Sequence, residues 1–304
     1  MLRPRHRGCV ATIGAFDGVH RGHQAVLAQV LAEARSLALP TTVIVFEPLP
    51  REYLRPAEAP ARLMSFREKF RALAGLGVDR LLRIRFDEAL RTMSAAAFVE
   101  RIFVAGLGTR RLVLGDDFRF GRAREGDYEF LCSQGQRYGF ETRATATLTV
   151  AGARVSSTRI RDALAAGDLP LAKELLGRPY TISGRVARGQ GSARPVEVAL
   201  RRQRVPLAGV FAVRVSGGAC QGARAVAWVA RGEAPGEGSG ARLEVHGLDA
   251  GPGLCGKRID VQFLHRLRSA RAPGNPDAPP AGRQGDVEAA RAWFAAPSTE
   301  SDDR

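Results

Sequence analysis

The stretch Val10-Ala11-Thr12-Ile13-Gly14-Ala15-Phe16-Asp17-Gly18-Val19-His20-Arg21-Gly22-His23 joins a short apolar strand to a helical segment over residues 24–34. Glycines in such a turn let the backbone approach a ligand closely, and a helix N-terminus presents N–H groups and a positive dipole end to an anion. His20 and His23 lie three residues apart at that terminus, where both could donate to phosphate oxygens. The turn therefore predicts a site suited to triphosphate chemistry; the alternative is a tight turn with surface histidines.

Apolar runs typical of strands alternate with helical periods through the first half of the chain. The second run is apolar throughout, as expected of a parallel strand buried on both faces. This alternation predicts an α/β domain with a parallel, Rossmann-like sheet that binds its ligand at the carboxyl ends of the strands. The predicted strands are residues 10–14, 41–46, 80–86 and 111–114, and the predicted helices are 24–34, 63–76 and 94–105, the last with Ser94 as N-cap.

The second half has a different pattern. Helices are predicted at 157–166 and 169–176, and each is ended by a glycine. Short β-rich runs separated by glycine-rich turns follow at 180–186, 209–215, 224–229, 242–245 and 258–264, and they predict a small antiparallel β-barrel. The expected domains are 1–178, 179–269 for the barrel, and 270–304 for a linker, a short helix at 287–294 and a polar tail.

The composition fits this organisation. A chain of 304 residues that is 45% hydrophobic and 25% charged is long enough for two domains. No run approaches the ~18 apolar residues of a membrane span, and the basic start is not followed by the apolar region of a signal peptide, so we predict a cytoplasmic protein with no membrane partner. The four cysteines are scattered, and free thiols are expected.

The net charge of +15 would by itself suggest a polyanionic partner. Nearly all of the positive charge is arginine, however, because the only lysines are Lys69, Lys173 and Lys257. It is spread along the chain rather than gathered in a tract. We therefore do not expect a nucleic-acid partner, although a basic surface suits an enzyme that handles phosphates.

Two further segments carry candidate chemistry. Residues 155–161, Val-Ser-Ser-Thr-Arg-Ile-Arg, place three hydroxyls ahead of a helix, where Ser156, Ser157 and Thr158 could ring a phosphate and Arg161 could return to the same side. Taken alone, the pattern is also ordinary helix capping. Residues 114–121, Leu-Gly-Asp-Asp-Phe-Arg-Phe-Gly, end a predicted strand with aromatics and carboxylates; the alternative is a loop whose aromatics fill the core.

Together these segments resemble the bacterial bifunctional riboflavin kinase/FMN adenylyltransferase (FAD synthetase) family, from about residue 10 to residue 268. The matching elements are the glycine-histidine turn, Phe46-Glu47-Pro48, residues 115–121 with Arg124-Glu125-Gly126-Asp127, and the Ser-Ser-Thr-Arg-Ile-Arg segment. Residues 176–186 resemble the family's junction into a kinase barrel.

The resemblance implies that FMN attacks the α-phosphate of MgATP to give FAD and pyrophosphate. It implies Mg²⁺ held mainly by ATP phosphates, with no protein metal ligand named. It assigns catalytic roles to His20, His23 and Arg161, and FMN contacts to Pro48, Asp117, Phe118 and Gly121. The residues that it assigns to ATP are Gly14, Phe16, Asp17, Gly22, Ser156, Ser157 and Thr158.

The kinase half departs from the family pattern. The family's Phe-Pro-Thr-Ala-Asn loop holds MgATP through its Thr and Asn, but an alignment without gaps places Pro195 and Glu197 at those positions. Residues 228–234 share almost nothing polar with the family's later Asn-Ile-Gly-Thr-Arg-Pro-Thr stretch. Glu244 remains at the position of the family's general base. Because phosphoryl transfer depends on neutralising the triphosphate, we predict that kinase activity is absent or very weak and that Glu244 is a remnant or a structural residue.

Two alternatives stay open at this point. One is the full bifunctional enzyme, which would make FMN from riboflavin and then FAD. The other is a flavin-binding protein whose first domain is catalytically idle. Other nucleotidyltransferases with a His-x-Gly-His turn fit less well because they lack the Asp-Phe-Arg-Phe-Gly segment. The sequence gives no oligomeric state.

Overall fold

The computed structural model describes residues 8–115, 118–187, 195–200, 202, 204–218, 220–232, 240–248, 257–270 and 282–296. The chain divides into two compact units. The first contains Met1–Pro60 and Phe66–Ser157, and the second contains Ala61–Ser65 and Thr158–Arg304. This division falls just before two helices that the sequence analysis assigned to the first domain.

The first unit is built on a five-stranded parallel sheet, in agreement with the predicted fold class. The strand order is β3-β2-β1-β4-β5, so the chain moves outward from β1 in one direction and then crosses to its other side. All five residues of β1 are buried, as expected for a central strand covered on both faces. The strands are β1 (Cys9–Ile13), β2 (Thr41–Glu47), β3 (Arg80–Arg85), β4 (Thr109–Gly115) and β5 (Glu141–Thr145); β5 was not predicted.

Helices cover both faces of this sheet. On one face Val30 and Ala34 pack against Val10 and Val113. On the other, aromatic side chains such as Phe103 pack in a larger apolar core with the inward residues of β1 and β4. The helices are α1 (Arg21–Ser36), α2 (Pro50–Leu54), α3 (Phe66–Gly75), α4 (Glu88–Arg91), α5 (Ala95–Phe98), a π-helix at Val99–Gly106, a 3₁₀ turn at Arg122–Arg124, and α6 (Tyr128–Tyr138).

Local signals explain several boundaries. Ser94 caps α5 as predicted, because its side chain accepts a hydrogen bond from the amide of Ala97. The predicted single helix at 94–105 is a short α-helix that continues as a π-helix. A two-stranded hairpin of β6 (Thr149–Val150) and β7 (Ala153–Arg154) leads to α7 (Ser157–Ala166).

The two helices α7 and α8 (Leu169–Leu176) have the bounds that the sequence predicts. Gly167 and Gly177 end them with φ of 79° and 75°, a left-handed conformation that glycine adopts without a side-chain penalty. From Thr158 onward these helices belong to the second unit.

The second unit contains a closed six-stranded antiparallel barrel, as predicted. Its interior is packed with apolar side chains, among them Phe211 and Phe263, whose rings meet edge to face at 5.3 Å. The strand β9 was not predicted. The strands are β8 (Thr181–Val186), β9 (Val196–Ala199), β10 (Gly209–Gly217), β11 (Cys220–Ala230), β12 (Arg242–Gly247) and β13 (Arg258–Ser269).

The helix predicted at 287–294 is present as α9 (Arg283–Ala295). It packs on the barrel, where Ala290 is fully buried against Val210 and Val226. Cys9, Cys132 and Cys220 are free thiols, while Cys255 lies outside the described residues. Within the described ranges no helix combines the length and apolar character needed to span a bilayer.

Candidate functional site

A cavity of about 460 Å³ opens at the carboxyl ends of β1 and β4. These two strands are neighbours, but the chain leaves them toward opposite sides of the sheet. This is the topological switch point, where open parallel sheets bind their ligands. Gly14 and Gly115, which follow and end the two strands, both line the cavity. A larger groove of about 890 Å³ lies near the amino ends of β4 and β5, away from this switch point, and has no histidine in its lining.

The glycine-histidine turn forms one wall of the cavity. Its backbone bends sharply, because Phe16 and Val19 have φ of 46° and 41°, values that side chains other than glycine rarely adopt. Phe16 is buried, and its ring lies 4.9 Å from that of His23. The rings of His20 and His23 stack with centroids 3.6 Å apart. The turn thus presents two parallel imidazoles to the cavity.

His20 is the N-cap of α1. Its Nδ1 accepts a hydrogen bond from the amide of His23 at 3.3 Å, so the helix begins at Arg21, earlier than the predicted start at residue 24. The prediction was wrong at this boundary because histidine is not among the usual N-cap residues. An imidazole whose Nδ1 accepts carries its proton on Nε2 when neutral. Capping therefore fixes which ring nitrogen of His20 donates.

His23 is electrostatically unusual. Burial, together with electrostatic effects of His20, Lys69 and Arg154, holds its pKa well below the ordinary value of 6.5. Its buried Nδ1 has no hydrogen-bond partner among the described residues. Because His23 also lines the cavity, its neutral imidazole is suited to hydrogen bonding with a polar ligand.

The hydroxyl-rich segment also contributes to the cavity. Ser156 and Ser157 line the same cavity as the histidines. The Ser157 hydroxyl donates to the carbonyl oxygen of Asp17 at 2.9 Å, and so fastens this segment to the turn. Asp17 itself is buried and does not line the cavity. The structure therefore brings together the two segments that the sequence analysis expected to converge.

Thr158 and Arg161 belong to the second unit and are described within it. There the Nε of Arg161 donates to the carbonyl oxygen of Ala61 at 2.6 Å. Their assignment to ATP phosphates stays a prediction.

The residues assigned to FMN are distributed differently. Phe118 lines the cavity, and Pro48 follows β2 through a cis peptide bond. Gly121 packs against the backbone of Ala95, where a Cβ atom would lie 2.8 Å from the Ala95 nitrogen. Asp117 lies outside the described residues.

Sequence reasoning missed two positive groups that act on His23. Arg154 lines the cavity from β7. Lys69 lies in α3, where its Nζ donates to the Ala15 carbonyl oxygen at 2.6 Å. No signal in the sequence marks Lys69, because a lysine on a surface helix is usually solvated.

In the second unit the Glu244 carboxylate accepts a hydrogen bond from Arg283 of α9 at 2.6 Å. Glu197 lies opposite Glu244 in the pairing of β9 with β12. In the described part of the chain, no three His, Cys, Asp or Glu side chains form a group able to hold a metal ion.

The fold and the cavity together define a Rossmann-like α/β protein with a cavity at the switch point of its sheet, followed by an antiparallel barrel. Comparison with known proteins gives the family. A family model described as FAD synthetase matches residues 2–159, and one described as riboflavin kinase matches residues 176–294. The chain belongs to the bifunctional riboflavin kinase/FMN adenylyltransferase family, and its first unit is an FMN adenylyltransferase domain.

Individual relatives agree along nearly the whole chain. The bifunctional riboflavin kinase/FMN adenylyltransferase of Pseudomonas fluorescens is 48% identical, over 98% of this chain and 96% of its own length. The enzyme of the same name from Escherichia coli K12 is 42% identical, over 94% and 93%. A crystal structure titled as a macrolide-efflux protein from Streptococcus pneumoniae has a TM-score of 0.77 and 27% identity, and the match covers 96% of this chain and 95% of that one.

Proposed function

We propose that this protein transfers AMP from MgATP to FMN and that it has lost riboflavin kinase activity. The observation that carries the first part is the cavity at the switch point of the sheet, which His20, His23, Ser156 and Ser157 all line. That arrangement brings polar groups from two separate segments of the chain to one cavity.

In the proposed reaction a phosphate oxygen of FMN attacks the α-phosphorus of ATP. A new P–O bond forms, the bond from the α-phosphorus to the bridging oxygen breaks, and pyrophosphate leaves. The FMN phosphate is already a competent nucleophile, so no covalent enzyme intermediate is needed. Catalysis then depends on alignment and on neutralising charge.

Each candidate residue has a part in this proposed reaction. His20 and His23 would donate to oxygens around the α-phosphorus, and a neutral His23 can do so without carrying a charge into the buried turn. Ser156 and Ser157, with Thr158 and Arg161, would hold the β and γ oxygens. Gly14, Phe16, Asp17 and Gly22 would shape the ATP pocket, and Pro48, Asp117, Phe118 and Gly121 would face FMN.

The donor set also fits a magnesium ion that arrives with the nucleotide. Mg²⁺ prefers oxygen ligands and commonly stays bound to the phosphate oxygens of its nucleotide. The hydroxyls of Ser156 and Ser157 in the cavity are compatible with that preference. When bound, the ion would neutralise the leaving pyrophosphate.

The absence of a nucleic-acid partner and a location in the cytoplasm remain predictions from the sequence.

Loss of the kinase is supported by the chemistry of the barrel. Pro195 has no hydroxyl to offer a metal, and Glu197 takes the place of an amide. The carboxylate of Glu244, whose side chain is 34% exposed, is paired with Arg283. A base needs access to the hydroxyl proton that it removes, so this ion pair favours a structural role for Glu244.

The full bifunctional enzyme is the second candidate, because the riboflavin kinase family model matches residues 176–294. Two assays on one protein preparation distinguish these two candidate functions. FMN with ATP and Mg²⁺ should give FAD and pyrophosphate, while riboflavin with ATP and Mg²⁺ should give neither FMN nor FAD.

Accumulation of FMN or FAD from riboflavin would establish the bifunctional enzyme instead. Flavin binding without any FAD from FMN and ATP would favour a catalytically idle flavin-binding protein. A functional riboflavin kinase added to the riboflavin reaction is the control, since it should restore FAD formation through the adenylyltransferase.

A further inference from the structure

Lys69 is among the largest fully buried side chains of the described residues, with an exposure of 1%. Burying an amino group costs free energy unless it is hydrogen-bonded, and lysine is almost never fully buried without a partner. Its Nζ donates to the Ala15 carbonyl oxygen at 2.6 Å. These two residues are 54 positions apart in sequence. The contact therefore ties α3 to the glycine-histidine turn.

Ala15 lies at the point where the turn needs support. The next residue, Phe16, has a positive φ, and so does Val19. Such conformations cost of order 1–3 kcal/mol each and persist only where surrounding contacts hold them. The carbonyl of Ala15 belongs to the peptide bond that precedes the strained residue Phe16. A hydrogen bond to that carbonyl restricts the orientation of this peptide bond, and so helps to hold the backbone that carries Phe16 and the two histidines.

Lys69 also lies within electrostatic reach of the cavity. The groups that act on the imidazole of His23 are His20 from the turn, Lys69 from α3 and Arg154 from β7, in addition to burial. Lys69 differs from the other two because it does not line the cavity. It is placed to influence the site from behind rather than to contact a ligand.

We propose that Lys69 is a positioning residue of the adenylyltransferase site, which holds the Ala15 carbonyl and so fixes the turn that carries Phe16, His20 and His23. The role rests on the proposed function of that cavity. Lys69 supports His23 in a neutral, preorganised state without touching the substrate. Preorganised donors act in catalysis because they need no rearrangement as charge develops.

Two substitutions separate the hydrogen bond from the charge. Lys69→Met removes both, while Lys69→Gln removes the charge and keeps an N–H donor. Lys173→Met is the matched control, because Lys173 is an exposed lysine on α8. The first readout is an NMR titration of the His23 imidazole in the free protein. Both Lys69 variants should raise the pKa of His23, and the control should leave it unchanged.

The second readout is FAD formation. Lys69→Met should lower kcat by about 10–100-fold, as expected when a turn that aligns reacting groups is loosened, while the KM for ATP changes less. Lys69→Gln should recover part of that loss. An unchanged His23 titration together with an unchanged kcat in Lys69→Met would overturn the proposal.

If Lys69→Met fails to fold, the wild-type protein still decides the question. A buried, hydrogen-bonded Nζ should give a protected ¹⁵N side-chain resonance for Lys69, and rapid exchange of that resonance would contradict the proposal. The two hypotheses also fail separately. A wild-type protein that makes no FAD refutes the proposed function, whereas the His23 titration still tests the link between Lys69 and the turn.

Discussion

At the scale of single residues, the site depends on two imidazoles held in one stack. The Nδ1 of His20 accepts the hydrogen bond that caps α1, whereas the Nδ1 of His23 is buried without a hydrogen-bond partner among the described residues. The two residues therefore differ although they share one turn. His20 is tied to the helix, whereas the Nδ1 of His23 takes no part in capping it.

Replacing His23 by alanine should slow FAD formation while the fold is kept. Removal of one preorganised donor costs ~2–4 kcal/mol of transition-state stabilisation, or about 30–1000-fold in kcat/KM. Steady-state kinetics with FMN and ATP measures this, and circular dichroism checks the fold. Near-normal turnover of the variant would remove His23 from the mechanism.

The low pKa of His23 makes stability depend on pH. The unfolded chain binds a proton near pH 6.5, whereas the folded protein resists protonation until a lower pH. The unfolding free energy should therefore fall as pH drops below about 6.5, by up to about 1.4 kcal/mol per pH unit for each such group. Urea unfolding at pH 7.5 and pH 5.5 tests this.

His23→Asn, which cannot titrate, isolates the contribution of His23, because His246 also has a pKa lowered by burial and by Arg291 and Arg283. The variant should lose less stability than the wild type between the two pH values. Equal losses would show that His23 is not the titrating group.

At the scale of elements, the loop after β4 is held by close backbone packing. Gly121 has φ 76° and ψ 176°, and a Cβ atom there would lie 2.8 Å from the backbone of Ala95. Gly139 has φ 77° but open space around it. Gly139→Ala should lower the free energy of unfolding by ~1–2 kcal/mol through backbone strain alone. Gly121→Ala should lower it by about 1–3 kcal/mol more, because the added methyl group also overpacks against Ala95.

Thermal unfolding of the two variants measures that difference. The affinity for FMN, read by flavin fluorescence, should also fall in Gly121→Ala alone, because only that glycine belongs to the segment assigned to FMN. Equal stability of both variants would show that the loop yields to the added methyl group.

The attachment of α9 to the barrel depends on Asp286. This buried carboxylate accepts hydrogen bonds from Arg268 at 2.6 Å and from Trp228 at 2.7 Å. Burial alone would raise its pKa, but these donors outweigh burial and lower it. Asp286→Asn should destabilise the protein by about 1–3 kcal/mol, since it leaves a buried group incompletely satisfied.

The control for Asp286→Asn is Glu288→Gln, a substitution of an exposed carboxylate on the same helix. Hydrogen exchange should show faster opening of α9 only in the Asp286 variant. FAD formation should be unaffected in both, because neither Asp286 nor Glu288 is among the residues assigned to ATP or FMN.

At the scale of the whole molecule, a net charge of +15 makes the folded chain repel itself. Raising NaCl from ~20 mM to ~200 mM shortens the Debye length from roughly 20 Å to roughly 7 Å, so it should raise Tm by a few degrees. Differential scanning calorimetry measures the shift. A steady fall of Tm with salt would instead show that ion pairs, such as Arg268 with Asp286, dominate the electrostatic balance.

The sequence alone determined the fold class and marked the two segments that line the cavity. Apolar runs of the right length mark β1 and β2, and α7 and α8 have their predicted bounds because glycines end both helices. These signals are local, since they depend on periodicity and on backbone preferences within a few residues. The motifs were recognisable for the same reason, because each is continuous in the chain.

Only the tertiary structure decided how distant segments cooperate. Its long-range contacts include hydrogen bonds from Ser157 to the Asp17 carbonyl, from the buried Lys69 to the Ala15 carbonyl, and from Arg283 to the Glu244 carboxylate. None of these pairs has a sequence signal, because each joins residues far apart in the chain whose contact follows from how the sheet and the barrel close. Burial then altered the chemistry of His23, since the loss of solvent depends on every element packed around the ring.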